Sequence, residues 1–296
     1  MTDPAHIDLA RRLAEAGGAV MVMGAMDTGK STLSRLIISA GLEQGRLVAY
    51  VDADVGQSTV GPPTCAGLKW LREPADLDVI DRADELQFVG STTPERLVLP
   101  HVVATATLVT VARERADLVV IDTTGTVSGV IGETLKYYKT ELCRPDKVVA
   151  LQRGTEMEPI VGMLRRFFSA EVIVSGVDPE VLPVAPDQRA AQRTFRLADA
   201  FAPPLERWRV RPTVFAPTLP AGLDLSRLHG VLVGVQDGAG RCLGLGVLEF
   251  SEDVLRVITN VGGGMQGLRL GSLRIDLADF ASKQINLQEM IFGLES

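Results

Sequence analysis

Apolar and polar positions along the chain fall into an alternating series. Ala19–Met23 (AVMVM) is a continuous apolar run, the pattern of a strand covered on both faces. Ahead of it, from Pro4, Leu9, Ala10 and Leu13 fall on one helical side and Arg11 and Arg12 on the other, until Gly17-Gly18 stop the helix. Ser31–Leu42 again has helical spacing, through Leu33, Leu36, Ile37 and Ala40, and closes at Gly45. Leu47–Val51 (LVAYV) is a second apolar strand, ending in Asp-Ala-Asp. The stretch GQSTVGPPT then opens a less regular region that reaches about Asp84. Leu86–Val89 reads as a strand ended by Gly90, Pro94–Ala112 as a helix, and Leu118–Ile121 as a strand running into Asp122. A helix near Gly132–Leu142, a strand near Lys147–Leu151, a helix near Met157–Phe168 and a strand near Glu171–Val174 continue the series. Strands alternating with helices of this length predict a parallel sheet wound by right-handed crossovers.

The texture changes after Pro203-Pro204. Short, turn-rich apolar segments follow: VLVGVQDGAGRCLGLGVLEF, then VLRVITNV, then LRLGSLRIDL, with tight connections at Asp237-Gly238 and Gly262-Gly263-Gly264. The expected fold class is α/β, a mainly parallel sheet flanked by helices (residues 1–204), plus a small β-rich C-terminal domain (residues 205–296). A barrel-like form and a closing short helix are expected for the second part.

Composition narrows the partners. The 296 residues are 46% hydrophobic and 23% charged, ample for a core, and the formal net charge of −7 argues against non-specific coating of nucleic acid or anionic membrane. It leaves room for a local basic groove, for which Arg189, Arg193, Arg196, Arg207 and Arg209 are the densest candidates. Cys65, Cys143 and Cys242 lack metal or disulfide spacing. The opening residues lack a leader pattern, and apolar runs fall short of the roughly 18–20 residues of a membrane span. A cytoplasmic protein without membrane association is therefore expected. His6, His101 and His229 form no metal or triad pattern, and Trp70, Trp208 and the three tyrosines form no aromatic–basic platform.

The strongest chemical signal is Gly24-x4-Gly29-Lys30-Ser31, set between a buried strand and a helix. Glycines let backbone N–H groups wrap a phosphate, and the helix N-terminus adds favourable partial charge. The whole stretch GAMDTGKST, including Asp27, Thr28 and Thr32, is expected to cradle the triphosphate of ATP or another nucleoside triphosphate. Lys30 reaches the β- and γ-phosphates in such loops, and the Ser31 hydroxyl is placed to ligate Mg2+. Acids stand where a parallel sheet gathers its ligands: Asp52 and Asp54 end one strand and Asp122 another. Carboxylates there either hold Mg2+, the role expected of Asp52 and Asp122 together with Ser31, or accept a proton from an attacking hydroxyl. Arg189, Arg193 and Arg196 recur at spacings of four and three, so they share a helical face, within a lid expected around 186–200. Such a face is either plain solvated surface or the cationic lid that a phosphotransferase needs over the transferring group.

GAMDTGKST, VDADVGQSTVGPP, FVGSTTP, DTTGTVSG and the arginine-bearing segment together resemble the polynucleotide 5′-hydroxyl kinase family. That family includes the kinase subunit of the mRNA cleavage and polyadenylation machinery and kinases of pre-rRNA processing. Asp27 inside the loop and Asp54–Gln57 (DVGQ) are the most specific features, and the likeness runs from about Ala19 to Arg196. The β-rich tail is similar to those of shorter prokaryotic members, and the large N-terminal β domain of eukaryotic members is not expected ahead of a loop near residue 20. The resemblance implies that Lys30 and Ser31 bind phosphates and Mg2+, with Asp122 at the end of the Walker B strand. It implies that Asp54 helps activate a 5′-hydroxyl with Asp52 as its neighbour, that Gln57 and Ser58 sit near the acceptor, and that Arg193, Arg196 and Arg189 are lid residues. Thr126 departs from the pattern, standing where many members carry a base-stacking tryptophan. The implied activity is transfer of the γ-phosphoryl group of ATP to a 5′-OH end of RNA or DNA. The rival readings are an ATP-binding scaffold, a switch NTPase, and a kinase for a small molecule.

Overall fold

The computed structural model describes residues 3–95 and 97–292. Residues 1–2 and 293–296, at the ends of the two expected domains, and Arg96, inside the expected helix 94–112, lie outside the described residues. In chain order the first part comprises α1 (Pro4–Ala16), β1 (Gly18–Gly24), α2 (Lys30–Glu43), β2 (Val48–Ala53), β3 (Cys65–Leu71), β4 (Glu85–Phe88), α3 (Val98–Arg113) and β5 (Leu118–Thr123). It continues through α4 (Gly129–Cys143), β6 (Lys147–Gln152), α5 (Glu158–Phe167), β7 (Glu171–Gly176) and α6 (Pro186–Ala200). The second comprises β8 (Glu206–Arg209), β9 (Val231–Gln236), β10 (Cys242–Ser251), β11 (Val254–Thr259), β12 (Gly267–Ile275), β13 (Ser282–Gln284) and α7 (Leu287–Phe292).

Seven strands form one sheet in the order β4-β3-β2-β5-β1-β6-β7. The five from β2 to β7 are mutually parallel, and β3 and β4 extend the sheet antiparallel at one edge. On one face Leu9, Leu13, Leu33 and Ile37 of α1 and α2 pack on Val20, Val22, Tyr50 and Val120. On the other, Leu108, Cys143, Ile160 and Leu164 of α3, α4 and α5 pack on Met21, Val51 and Ile121. The register sets Asp52 opposite Asp122 and Val22 opposite Asp122, so three strand ends meet at one point.

Two expectations are corrected. The region read as irregular to about Asp84 contains β3. This strand is buried on both faces and so shows no alternation, and its central Gly67 lies against the Val60 backbone, where a side chain has no room. The helix expected from Pro94 begins at Val98, because Pro100 lacks an N–H and would clash with the carbonyl four residues back if it sat deeper in a helix.

The second sheet has the order β13-β12-β9-β10-β11-β8, with every pair antiparallel. It is open: β13 and β8 are short, exposed edges that do not pair with each other, so the expected barrel does not close. The two sheets share a core in which Cys65 and Phe88 meet Leu232, Cys242, Leu245 and Leu273, together with Leu197 of α6 and Phe201 just beyond its end. Ser272 N donates to Gly90 O at 2.7 Å, and Asn260 Nδ2 caps the end of α6 through the carbonyls of Ala200 (3.1 Å) and Ala202 (3.0 Å). Among the described residues no helix is long and apolar enough to cross a membrane.

Candidate active site

β1 delivers the chain at Gly24, where a Cβ would stand 2.5 Å from Thr28 Oγ1 and 2.8 Å from Leu151 O, so only glycine permits the turn. The loop closes through left-handed backbone at Asp27 (φ 54°) and Gly29 (φ 82°), and Thr28 Oγ1 donates to Ala25 O at 2.9 Å. Lys30 opens α2, and its Nζ donates to Ala25 O at 2.6 Å, which lays the ammonium across the loop. Burial lowers the Lys30 pKa, and the facing carboxylates of Asp122, Asp54 and Asp27 work against that shift. Thr32 follows in the exposed first turn of α2.

Ser31 Oγ donates to Asp122 Oδ2 at 2.6 Å, and the buried Tyr50 hydroxyl donates to the same oxygen at 3.2 Å. Asp122 Oδ1 is buried without a hydrogen-bond partner. Burial raises the Asp122 pKa, while the Lys30 charge and the Ser31 hydrogen bond hold it down. An orphaned carboxylate oxygen beside a serine hydroxyl, at the mouth of a phosphate loop, suits a hard divalent cation that completes its shell with phosphates and water. Ser31 and Asp122 therefore fit Mg2+.

Asp52 and Asp54 divide their work. Asp52 is fully enclosed: Oδ1 accepts from Asp54 N at 2.9 Å, while Oδ2 accepts from Val60 N at 3.0 Å and from Thr59 N. Burial, with Asp122 and Asp54 nearby, pushes its pKa up to about 8, against the pull of the Asp54 and Val60 amides. Both of its oxygens thus anchor the loop after β2, so Asp52, expected beside Ser31 and Asp122 as a ligand of Mg2+, is engaged with backbone amides instead. Asp54 is only half-buried; its Oδ1 accepts from Gly56 N and Gln57 N, each at 3.0 Å, which fixes the carboxylate and leaves Oδ2 outside the hydrogen bonds of the loop. Gln57 Nε2 donates to Gly56 O at 2.9 Å and Ser58 Oγ to Gly61 O at 3.1 Å.

The arginine face of α6 lies over this loop. Arg189 pairs with Asp27 and approaches Met26 Sδ at 3.6 Å. Arg196 donates to Thr59 O (2.7 Å) and Gly61 O (2.8 Å) and pairs with Asp81 at 3.5 Å. Arg193, between them, lines a cavity of about 530 Å³ together with Gln57, Ser58, Arg35 and Arg196. Thr126 lies in the loop after β5, its N–H donating to Thr124 Oγ1 at 3.2 Å, next to Gly125, whose close packing on Met26 brings this loop against the phosphate loop.

The groove expected from Arg207 and Arg209 is not part of the site. Arg207 pairs with Glu249 at 3.3 Å and lines a separate cavity on the second sheet, and Arg209 lies on β8 opposite Arg256. Two cations escaped the sequence reading. Arg153, at the end of β6, donates to Asp27 O, and the strand-end logic that singled out Asp122 applies equally to it. Arg35 stands one helical turn beyond Ser31, on the exposed side of α2.

The profile of the mRNA cleavage and polyadenylation factor CLP1 P-loop matches residues 24–202. A polyribonucleotide 5′-hydroxyl-kinase of Thermococcus kodakarensis is 29% identical, over 86% of this chain and 88% of the relative. One from Pyrococcus furiosus is 27% identical, over 93% and 86%. The solved wild-type Clp1p–Pcf11p complex superposes with a TM-score of 0.71 at 14% identity, covering 91% of this chain and 79% of that one, a likeness of fold. With 24–202 spanning both the phosphate loop and α6, the chain belongs to the CLP1 P-loop family.

Proposed function

We propose that the protein is an ATP-dependent polynucleotide 5′-hydroxyl kinase that acts on RNA. One observation carries the reading: Asp54 is held by two backbone amides beside the Lys30 loop, next to a cavity walled by Gln57, Ser58 and Arg193, which has no partner among the described residues. A volume of about 530 Å³ falls within the range of small-ligand sites, and three arginines on its wall suit an acceptor that carries its own phosphates. The names of the archaeal relatives point to the same acceptor class.

In this reading the loop from Gly24 to Thr32 binds the triphosphate of ATP, with Lys30 swinging from Ala25 O to the phosphates. Ser31 and Asp122 hold Mg2+, which supplies charge neutralisation along the phosphates. Asp54 Oδ2 takes the proton of the 5′-hydroxyl. The 5′-oxygen bonds to Pγ as the bond from Pγ to the bridging oxygen breaks, and ADP leaves. Arg193 meets the charge on the transferring group, where a preorganised cation acts most strongly. Gln57, Ser58 and Thr126 border the acceptor, and Arg189 and Arg196 hold the lid at its two ends.

The test is transfer of labelled γ-phosphate to 5′-OH RNA and DNA oligonucleotides, beside a 5′-phosphorylated control and a free nucleoside. Label on the 5′-OH oligonucleotides alone is expected. Label only on the nucleoside would make the protein a small-molecule kinase, and no label with ATP binding intact would make it a scaffold or a switch.

A further inference from the structure

Helix α4 presents Gly132, Leu135, Lys136, Lys139, Thr140 and Cys143 to the interior. These positions follow the helical repeat of a core face, yet two of them are lysines, both 0% exposed. Lys136 Nζ donates to Thr123 Oγ1 at 2.8 Å and to Thr124 O at 2.6 Å. Lys139 Nζ approaches Ala53 O at 3.4 Å and His101 Nε2 at 2.8 Å. The two ammonium groups thus sit beneath the carboxyl ends of β5 and β2, on the face opposite to Asp122 and Asp52. Burying an ammonium against neutral acceptors is costly, and two hydrogen bonds return only part of that cost. Fold stability alone does not account for Lys136.

Its partners do. Thr124 O leads into Gly125, where a Cβ would stand 2.7 Å from Met26 N and 2.5 Å from Met26 Cγ. Gly132, in the first turn of α4, is packed as tightly on Val127, where a Cβ would stand 2.6 Å from the Val127 carbonyl carbon. A continuous line of packed backbone therefore runs from Lys136 through residues 124–127 to the phosphate loop. An amine donates both hydrogen bonds in either protonation state, so the clamp does not depend on the charge.

We propose that Lys136 is a positioning residue for phosphoryl transfer: by clamping Thr123 Oγ1 and Thr124 O from within the core, it holds the loop carrying Thr126 in register against the phosphate loop. This rests on the kinase reading above. It touches no reacting atom itself; it acts through the Thr124–Thr126 backbone.

The test compares wild type with Lys136→Met, an apolar residue of similar length, and with Thr123→Val, which removes the side-chain acceptor and serves if the first variant fails to fold. Lys136→Met should keep or raise the melting temperature and leave the KM for ATP within about twofold, while kcat falls roughly 10- to 100-fold, the scale of a small misplacement remote from the chemistry. Hydrogen exchange read on peptides covering 122–132 should accelerate in both variants. Unchanged kcat together with unchanged exchange would overturn the role, and so would a loss of activity that only tracks a loss of melting temperature. If wild type itself transfers no phosphate, the kinase reading fails. The exchange comparison then decides the clamp by itself.

Discussion

Arg193 differs from its two neighbours on α6 in what its guanidinium meets. Arg189 is bound to Asp27 and Arg196 to two carbonyls and Asp81, whereas Arg193 faces the cavity with no partner among the described residues. Arg193→Ala should lower kcat by roughly 10²–10³-fold with little change in the KM for ATP, as removal of one transition-state donor does; steady-state phosphate transfer measures both. At the same scale, burial brings the Lys139 pKa from 10.5 down to about 8, with Cys143 and the carboxylates of Asp54, Asp52 and Asp122 resisting. Between these values the unfolded chain binds a proton that the folded chain does not, so this residue makes stability rise with pH from about 8 to about 10.5. Lys139→Met should flatten that rise and add up to roughly 3 kcal/mol below pH 8. Urea unfolding at pH 7 and pH 10 gives the comparison.

At the scale of elements, the loops that leave β1, β2 and β5 form the site because those strands are neighbours and parallel, so that their carboxyl ends coincide. The loop after β2 is tied by Asp52, the loop after β5 by Lys136, and the two are braced by Arg196 and Gly125 respectively. Gly125→Ala would force the β5 loop off Met26, and a loss in kcat/KM of roughly 10- to 100-fold with unchanged far-ultraviolet circular dichroism is the expected outcome.

At the scale of the whole molecule, the second sheet acts as the mount of α6, the proposed lid. The C-terminal end of α6 is sunk into it through Leu197 and Phe201 and capped by Asn260, while the N-terminal half of the helix crosses the phosphate loop. Phe201→Ala should destabilise the protein by about 3–5 kcal/mol, as a large cavity in a shared core does. Because that core carries the lid, kcat should also fall well below the melting temperature while ATP affinity holds, which calorimetry and transfer assays together would read. The alternation of buried strands and amphipathic helices and the glycine–lysine–serine loop were legible in the sequence, since each depends on residues within one turn or one strand of each other. Asp122 and the arginine face of α6 were legible for the same reason. The strand β3 was not, because burial on both faces erases the alternation that marks a strand. Lys136 and Lys139 look like the solvated side of a helix until the fold turns that side inward. Asp52 and Asp54 are told apart by amides of their own loop, 2 to 8 residues away, whereas Asp27, bound by Arg189, and the carbonyls bound by Arg196 lie 135 to 162 residues away. The local pattern therefore settled the type of chemistry, and only the packing of distant segments gave the arginines of α6 their partners and turned the lysines of α4 inward.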